Sequence, residues 1–272
     1  MGMTDKKRVL SVAAHGDDAE FFAGGTLAKL AQAGHEVYLC IATNNERGSF
    51  RLSMEELRRI ARPEAEASCK ALGGCGVYML GYTDGDLCDE VKTVLRGKVM
   101  RVIREVKADI VFSWDPWAAH EPHPDHRAIA FATMEAATFA HFPLFHMDHM
   151  QDGLQPHKVS EIYYYSKDNY QPNLYVDISD TIEAKLNALY GYDCQMVLTI
   201  DDLLHAARAA GVDESRINLI DPYDYRDLIA MGVKRRAAEV GRTIGAAYAE
   251  VFRHEKEEVP PLFSSGGADV LG

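Results

Sequence analysis

The sequence predicts an α/β fold, a Rossmann-like and mostly parallel sheet with helices on both faces and a C-terminal extension. Three features predict it: strand-length apolar runs alternate with helix-length patterns through the first half, the first two strands are joined by a helix as in a right-handed βαβ unit, and polar clusters follow directly on strand runs. Val9 to Ala14 is the first strand. The pattern from Gly24 to the stop at Gly34 is its crossover helix, and Glu36 to Ala42, rich in Val, Leu and Ile, is the second strand. A helix over Met54 to Leu72 follows, with Pro63 expected to kink or split it. Then come a strand at Val77 to Leu80, a helix at Val91 to Lys107 and a strand at Asp109 to Trp114. The polar loop DPWAAHEPHPDH leads into a helix that starts near Asp125 or His126 and runs to about Ala140.

The second half is less regular. Phe142 to Lys158 reads as one long loop, Ile162 to Ser166 as a strand, and Asp180 to Tyr190 as a helix opened by Ser179 or Asp180. Asp201 to Ala210 reads as a helix stopped by Gly211, and Tyr225 to Glu255 as mostly helical. The whole is expected to be one domain: a core over 1–141, an extension over 142–258, and a loosely ordered tail over 259–272.

Composition narrows the function. Lys and Arg number 29 against 41 Asp and Glu, a formal charge of −12, which argues against a nucleic-acid binder held by phosphate contacts. No run approaches the roughly 18 consecutive apolar residues of a membrane span, and the short run after the basic start is a poor secretory signal. Five cysteines without a C-x-x-C pair favour a reducing, cytoplasmic setting.

In open parallel sheets, ligands bind beyond the carboxyl ends of strands. Two polar clusters stand there, His15-Gly16-Asp17-Asp18 after the first strand and a loop with His120, His123, Asp125 and His126 after Trp114. Alone, the first could be a turn with a helix cap and the second a helix start. Together they supply two imidazoles and a carboxylate, the protein ligands of a common catalytic zinc arrangement. If His15, Asp18 and His126 hold the ion, Asp17 is left to accept a proton and His123 to steady an oxyanion.

The segment AAHGDDAEFFAGGTLAKLAQAGHEVYLCIAT resembles the opening of the PIG-L/LmbE-like family of zinc-dependent N-deacetylases, and NNERGS, RPEAEASCKALG, LGYTDGDL, HPDH, VDISDTIEAKLNAL and YAEVF extend the resemblance over nearly the whole chain. The resemblance implies one Zn²⁺ per chain held by His15, Asp18 and His126, Asp17 as general base, and His123 as the histidine that polarises the amide carbonyl. It implies that Asp125 orients a histidine and offers Arg62 and Asp84 as substrate contacts, each of which reads equally well as a helix-surface Arg and a turn Asp. It also implies a small N-acetylated sugar substrate, no nucleic-acid or membrane partner, and assembly into a homo-oligomer. The loop histidines His146, His149 and His157 could then complete a neighbour's site or simply be polar surface. Gly16 stands where the family usually has Pro, so Gly16→Pro is expected to keep zinc and hydrolysis.

Rival readings remain. A nucleotide-binding Rossmann module is opposed by HGDDAEFFAGG in place of G-x-G-x-x-G, since two aspartates repel phosphate. A non-catalytic metal-binding protein would not need Asp17 and His123. A two-metal phosphatase would need further ligands. Lys234-Arg235-Arg236 reads as a solvated helix face, and Tyr163-Tyr164-Tyr165 as sheet and core.

Overall fold

Seven strands form one sheet in the computed structural model, which describes residues 6–258. They are β1 (Arg8–Ala13), β2 (Glu36–Thr43), β3 (Gly76–Tyr82), β4 (Ile110–Trp114), β5 (Glu161–Tyr165), β6 (Leu174–Asp177) and β7 (Ala249–Lys256), in the order β3-β2-β1-β4-β5-β7-β6. The first five are parallel, and β7 runs antiparallel between β5 and β6. Helices α1 (Asp18–Gln32), α2 (Met54–Ala71) and α6 (Ile182–Leu189) pack together on one face, and α3 (Lys92–Val106) and α4 (Pro124–Phe139) on the other. The chain order reverses between β1 and β4, whose register sets Ser11 against Phe112, so their carboxyl ends open side by side into the switch-point crevice. The expected tail over 259–272 lies outside the described residues. No helix among the described residues is long and apolar enough to cross a membrane.

The local reasons are plain where the pattern is strong. β1 and β4 are buried on both sides and so read as continuous apolar runs. Ser53 and Glu56 form a reciprocal capping box at the start of α2, whose apolar stripe Leu57, Ala61, Ala65 and Cys69 faces inward.

Several expectations are corrected. Helix α2 runs through Pro63 unbroken; both Pro63 and Arg59 are exposed, so water can take the Arg59 carbonyl that a proline leaves without its amide. Helix α1 begins at Asp18, six residues before Gly24. The loop over 142–158 contains the short helix α5 (Met147–Gln151), and α6 is preceded by Thr181 at its N-cap. Helix α7 (Asp193–Ala209) starts eight residues earlier than predicted, and α8 (Glu214–Ile217) and β6 were not foreseen. The span from Tyr225 to Glu255 divides into α9 (Arg226–Gly241) and strand β7.

The extension is bolted to α1 by a buried ion pair. Lys185 Nζ lies 2.5 Å from Glu250 Oε1 and also donates to the Phe21 carbonyl at 2.8 Å. Glu250 in turn accepts the amides of Gly25 and Thr26 at 2.9 and 2.8 Å and the Thr26 hydroxyl at 2.6 Å. Gly24 and Gly25 permit this approach: a Cβ at Gly25 would stand 2.7 Å from Ile178 Cβ, and one at Gly24 would stand 3.1 Å from Lys185 Cγ. Glu250 therefore acts on the middle of α1 as a second N-cap, which is why the sequence carries a helix-start pattern at the glycine pair. Lys185→Met leaves the Glu250 carboxylate buried without its counter-charge and is expected to lower the unfolding free energy by about 3 kcal/mol. Urea melts check this, and an unchanged midpoint would refute it.

Candidate metal and active site

The crevice between β1 and β4 holds a cleft of about 600 Å³ with His15, Asp17, Asp18, Asp84, His123 and His126 among its walls. Asp18 opens α1 and is fixed first. Its Oδ2 accepts three donors, the amides of Ala14 and His15 at 3.1 and 2.9 Å and the Trp114 indole at 3.0 Å. That leaves Oδ1 to face His126 Nε2 at 3.2 Å. His15 Nδ1 lies 3.1 Å from the same His126 Nε2. Trp114 stacks on the His126 ring at 4.0 Å and holds its plane.

The remote nitrogens decide the protonation of the near ones. His15 Nε2 donates to Asp84 Oδ1 at 3.0 Å, with Asp125 Oδ2 at 3.4 Å. His126 Nδ1 faces Glu121 Oε1 at 3.0 Å, a charge contact that falls short of hydrogen-bond geometry. His15 Nδ1 and His126 Nε2 thus converge beside a carboxylate oxygen, where either a shared proton or, with the outer nitrogens protonated, a cation balances them. For a cation, the donor set of two imidazoles and one carboxylate fits zinc. The charge balance agrees. Burial works against a charged His15, but hydrogen bonds to the carboxylates of Asp125, Asp18 and Asp84 overcome it and raise its pKa well above the ordinary value. Burial likewise opposes a charged Asp18, and His126 and His15 overcome it and hold that carboxyl well below the usual range. The His123 ring is also close, 4.6 and 4.5 Å from those of His15 and His126 by centroid.

Two groups stand beside the ligand cluster. Asp17 has φ of 102°, a left-handed conformation that costs a non-glycine residue of order 1–3 kcal/mol. Its carboxylate makes no hydrogen bond to a described residue, and burial and the neighbouring Asp18 charge push its pKa well up. His123 Nδ1 accepts the amide of Asp125 at 3.2 Å, so its proton sits on Nε2. Burial, then the nearby His15 and His126, lower its pKa and keep the ring neutral.

The remaining predicted residues fall as follows. Asp125 pins the turn after β3, accepting the amides of Gly85 and Leu87 at 2.6 and 3.0 Å, while Asp84 is the carboxylate bonded to His15. Arg62 is not brought to the cleft; it lies on the exposed face of α2 with Glu66 at 3.5 Å. His120 is exposed and His157 lies by Asp109, at the amino-terminal edge of β4. His146 and His149 line a separate hollow against α3, where His149 Nδ1 accepts from Arg104 at 2.9 Å.

Sequence reasoning missed Glu121, Asn45 and Arg236. Glu121 Oε1 accepts from His123 N at 3.0 Å and from Lys167 Nζ at 3.2 Å while facing His126; its one signal was a carboxylate five residues before a candidate ligand. Asn45 holds the Gly16 peptide from both sides, at 3.1 and 3.2 Å. Arg236, read as part of a solvated face, reaches the cleft wall and donates to the carbonyls of Ser166 and Lys167.

The chain is similar to known de-N-acetylases. Residues 10–137 match the family described as PIG-L, GlcNAc-PI de-N-acetylase. Diacetylchitobiose deacetylase of Thermococcus kodakarensis is 34% identical over 194 residues, 70% of this chain and 71% of its own. The N,N'-diacetylchitobiose deacetylase from Pyrococcus horikoshii, solved with its inhibitor MPG, has a TM-score of 0.76 at 30% identity, covering 96% of this chain and 88% of that one. A probable N-acetyl-alpha-D-glucosaminyl L-malate deacetylase 2 of Bacillus cereus is 29% identical over 138 residues, 49% of this chain and 62% of its own.

Two outcomes follow from the site's packing. Gly16→Pro is expected to cost stability, because a Cβ at Gly16 would stand 2.4 Å from Tyr192 Cε1 and proline would remove the amide that Asn45 accepts. A loss of about 2 kcal/mol is expected in thermal melts of the metal-free protein, and an unchanged melting temperature would contradict it. Burial opposes ionisation of Glu121, but the facing His126 and the hydrogen bond from the His123 amide hold its pKa down at about 2 against 4.5. Its contribution is therefore full above about 4.5 and lost as pH falls toward about 2. The stability gap between wild type and Glu121→Gln should narrow between those limits, and a gap independent of pH would contradict the assignment.

Proposed function

The chain belongs to the PIG-L family of de-N-acetylases, and on that premise we propose that it is a zinc-dependent hydrolase that removes an N-acetyl group from an amino sugar or sugar conjugate, releasing acetate and a free amine. The observation that carries the reading is the convergence of His15 Nδ1, His126 Nε2 and Asp18 Oδ1, at 3.1 and 3.2 Å from the shared His126 nitrogen, with the unbonded Asp17 carboxylate next to them. The substrates named for the relatives, diacetylchitobiose and N-acetylglucosaminyl malate, support the sugar class. Residues 6–258 act as one domain in this reading, and the free state of all five cysteines supports a reducing, cytoplasmic setting.

His15, Asp18 and His126 would hold the ion in the proposed site, where zinc would supply Lewis acidity toward water and the amide carbonyl. Asp17 accepts the proton of the attacking water; the burial that raises its pKa lets it keep that proton and pass it to the leaving amine. His123 donates from Nε2 to the amide oxygen as negative charge builds there, its ring aimed by the Asp125 amide. Asp84 and Glu121 hold the ligand rings against rotation. The two acidic side chains at the start of α1 disfavour phosphate there, which sets the nucleotide reading aside.

Metal analysis of protein prepared with zinc is expected to find about one ion per chain. Asp17→Asn should retain the ion yet release amine from N-acetylglucosamine or diacetylchitobiose at least about 100-fold more slowly. His123→Ala should slow kcat by about 100-fold with little change in metal content. Full activity in rigorously metal-free protein, or an Asp17→Asn variant as fast as wild type, would end the proposal.

A further inference from the structure

A groove of about 660 Å³ lies outside the metal-site cleft, between α7 and α9, within the size range of small-ligand sites. It continues the cleft, since Phe21, Phe22, Thr199 and Arg236 wall both. The junction is one helical turn from Asp18: Phe22 packs on Trp114, whose indole holds the Asp18 carboxylate.

The groove offers mostly hydrocarbon, with the exposed Asp202 on its lining a charge that has no ion-pair partner among the described residues. Leu203, Ala206, Leu228, Met231 and Val240 line it, with Leu203 and Met231 55% and 65% exposed at its lip. Its Lys185 is paired with Glu250, its Arg235 with Glu239, and Arg236 is tied to the carbonyls of Ser166 and Lys167 and to Asn169. Gly232, inside α9, also lines it, and a Cβ there would meet nothing within 4 Å. A glycine in a helix interior weakens the helix, and here it keeps the groove clear.

Building on the deacetylase reading, we infer that this groove is a subsite for an uncharged hydrocarbon group of the substrate, attached within about one sugar's length of the amide. Two sources carry that chemistry, an alkyl or aryl aglycone on the sugar and a longer N-acyl chain. A polar disaccharide would leave the groove's apolar wall in water.

The test compares, in zinc-loaded protein, amine release from N-acetylglucosamine, its octyl β-glycoside and N-octanoylglucosamine. One octyl compound is expected to show kcat/KM at least about tenfold above the parent, a gain that two buried methylene groups suffice to give; which one shows it names the source. Gly232→Phe and Ala206→Phe, which fill the groove from opposite walls, should abolish that gain and leave the parent rate unchanged. Calorimetric binding of octyl glucoside, which has no amide, should weaken at least about tenfold in both variants. The inference falls if the parent is hydrolysed but neither octyl compound gains, or if both variants keep the gain. It also falls if the variants change the oligomeric mass and slow the parent alike, which would make the groove a contact between copies. If wild type hydrolyses none of the three, the deacetylase reading fails, and octyl glucoside binding alone decides the groove.

Discussion

Two imidazole nitrogens 3.1 Å apart beside a carboxylate oxygen, with a further acid at the far nitrogen of each ring, are an arrangement that holds with a positive charge, a shared proton or a cation, between them. Much of the surrounding structure serves to keep that arrangement from relaxing. Asp84 and Glu121 occupy the far nitrogens, so neither ring gains by turning over. Three donors fix one oxygen of Asp18 and thereby choose which oxygen faces inward. The parallel pairing of β1 with β4 brings the two loops together, and no local turn geometry could do so over the 111 residues that separate the two histidines.

Legibility followed burial and continuity. β1, β2 and β4 are central strands buried on both faces, and their unbroken apolar runs announced them; the residues just past their ends then gave His15, Asp17, Asp18, His123 and His126. The extension was harder because its elements draw their identity from partners. β7 exists as a strand because β5 and β6 flank it, and Ala249 to Phe252, buried throughout, show no alternation that would separate strand from helix. The early start of α7 was hidden by the Val, Leu, Thr and Ile cluster at its first turns, which reads equally as strand. Glu121 and Asn45 could be found only in space, since each acts on a residue brought to it by a different loop.

The site is built by the amino-terminal half, but its surroundings are not. Lys167 and Arg236 stand on the cleft wall from the extension, as do Gln195 and Thr199 of α7. Arg236 holds the loop after β5 by its carbonyls while its guanidinium sits 5.1 Å over the Phe22 ring, so a helix distant in sequence helps to shape the mouth. The histidine and aspartate cluster and much of the cleft wall therefore come from different parts of the chain.

The span recognised as common to the family, residues 10–137, ends more than a hundred residues before Glu250. Yet Glu250 and Lys185 close the middle of the helix whose first residue is Asp18. That stretch is thus not a minimal fragment. Excised alone, it would expose the glycine pair of α1 to water and leave the helix that opens with Asp18 without its clamp, so transplanting the cluster to another scaffold requires carrying the distant acid and its lysine as well.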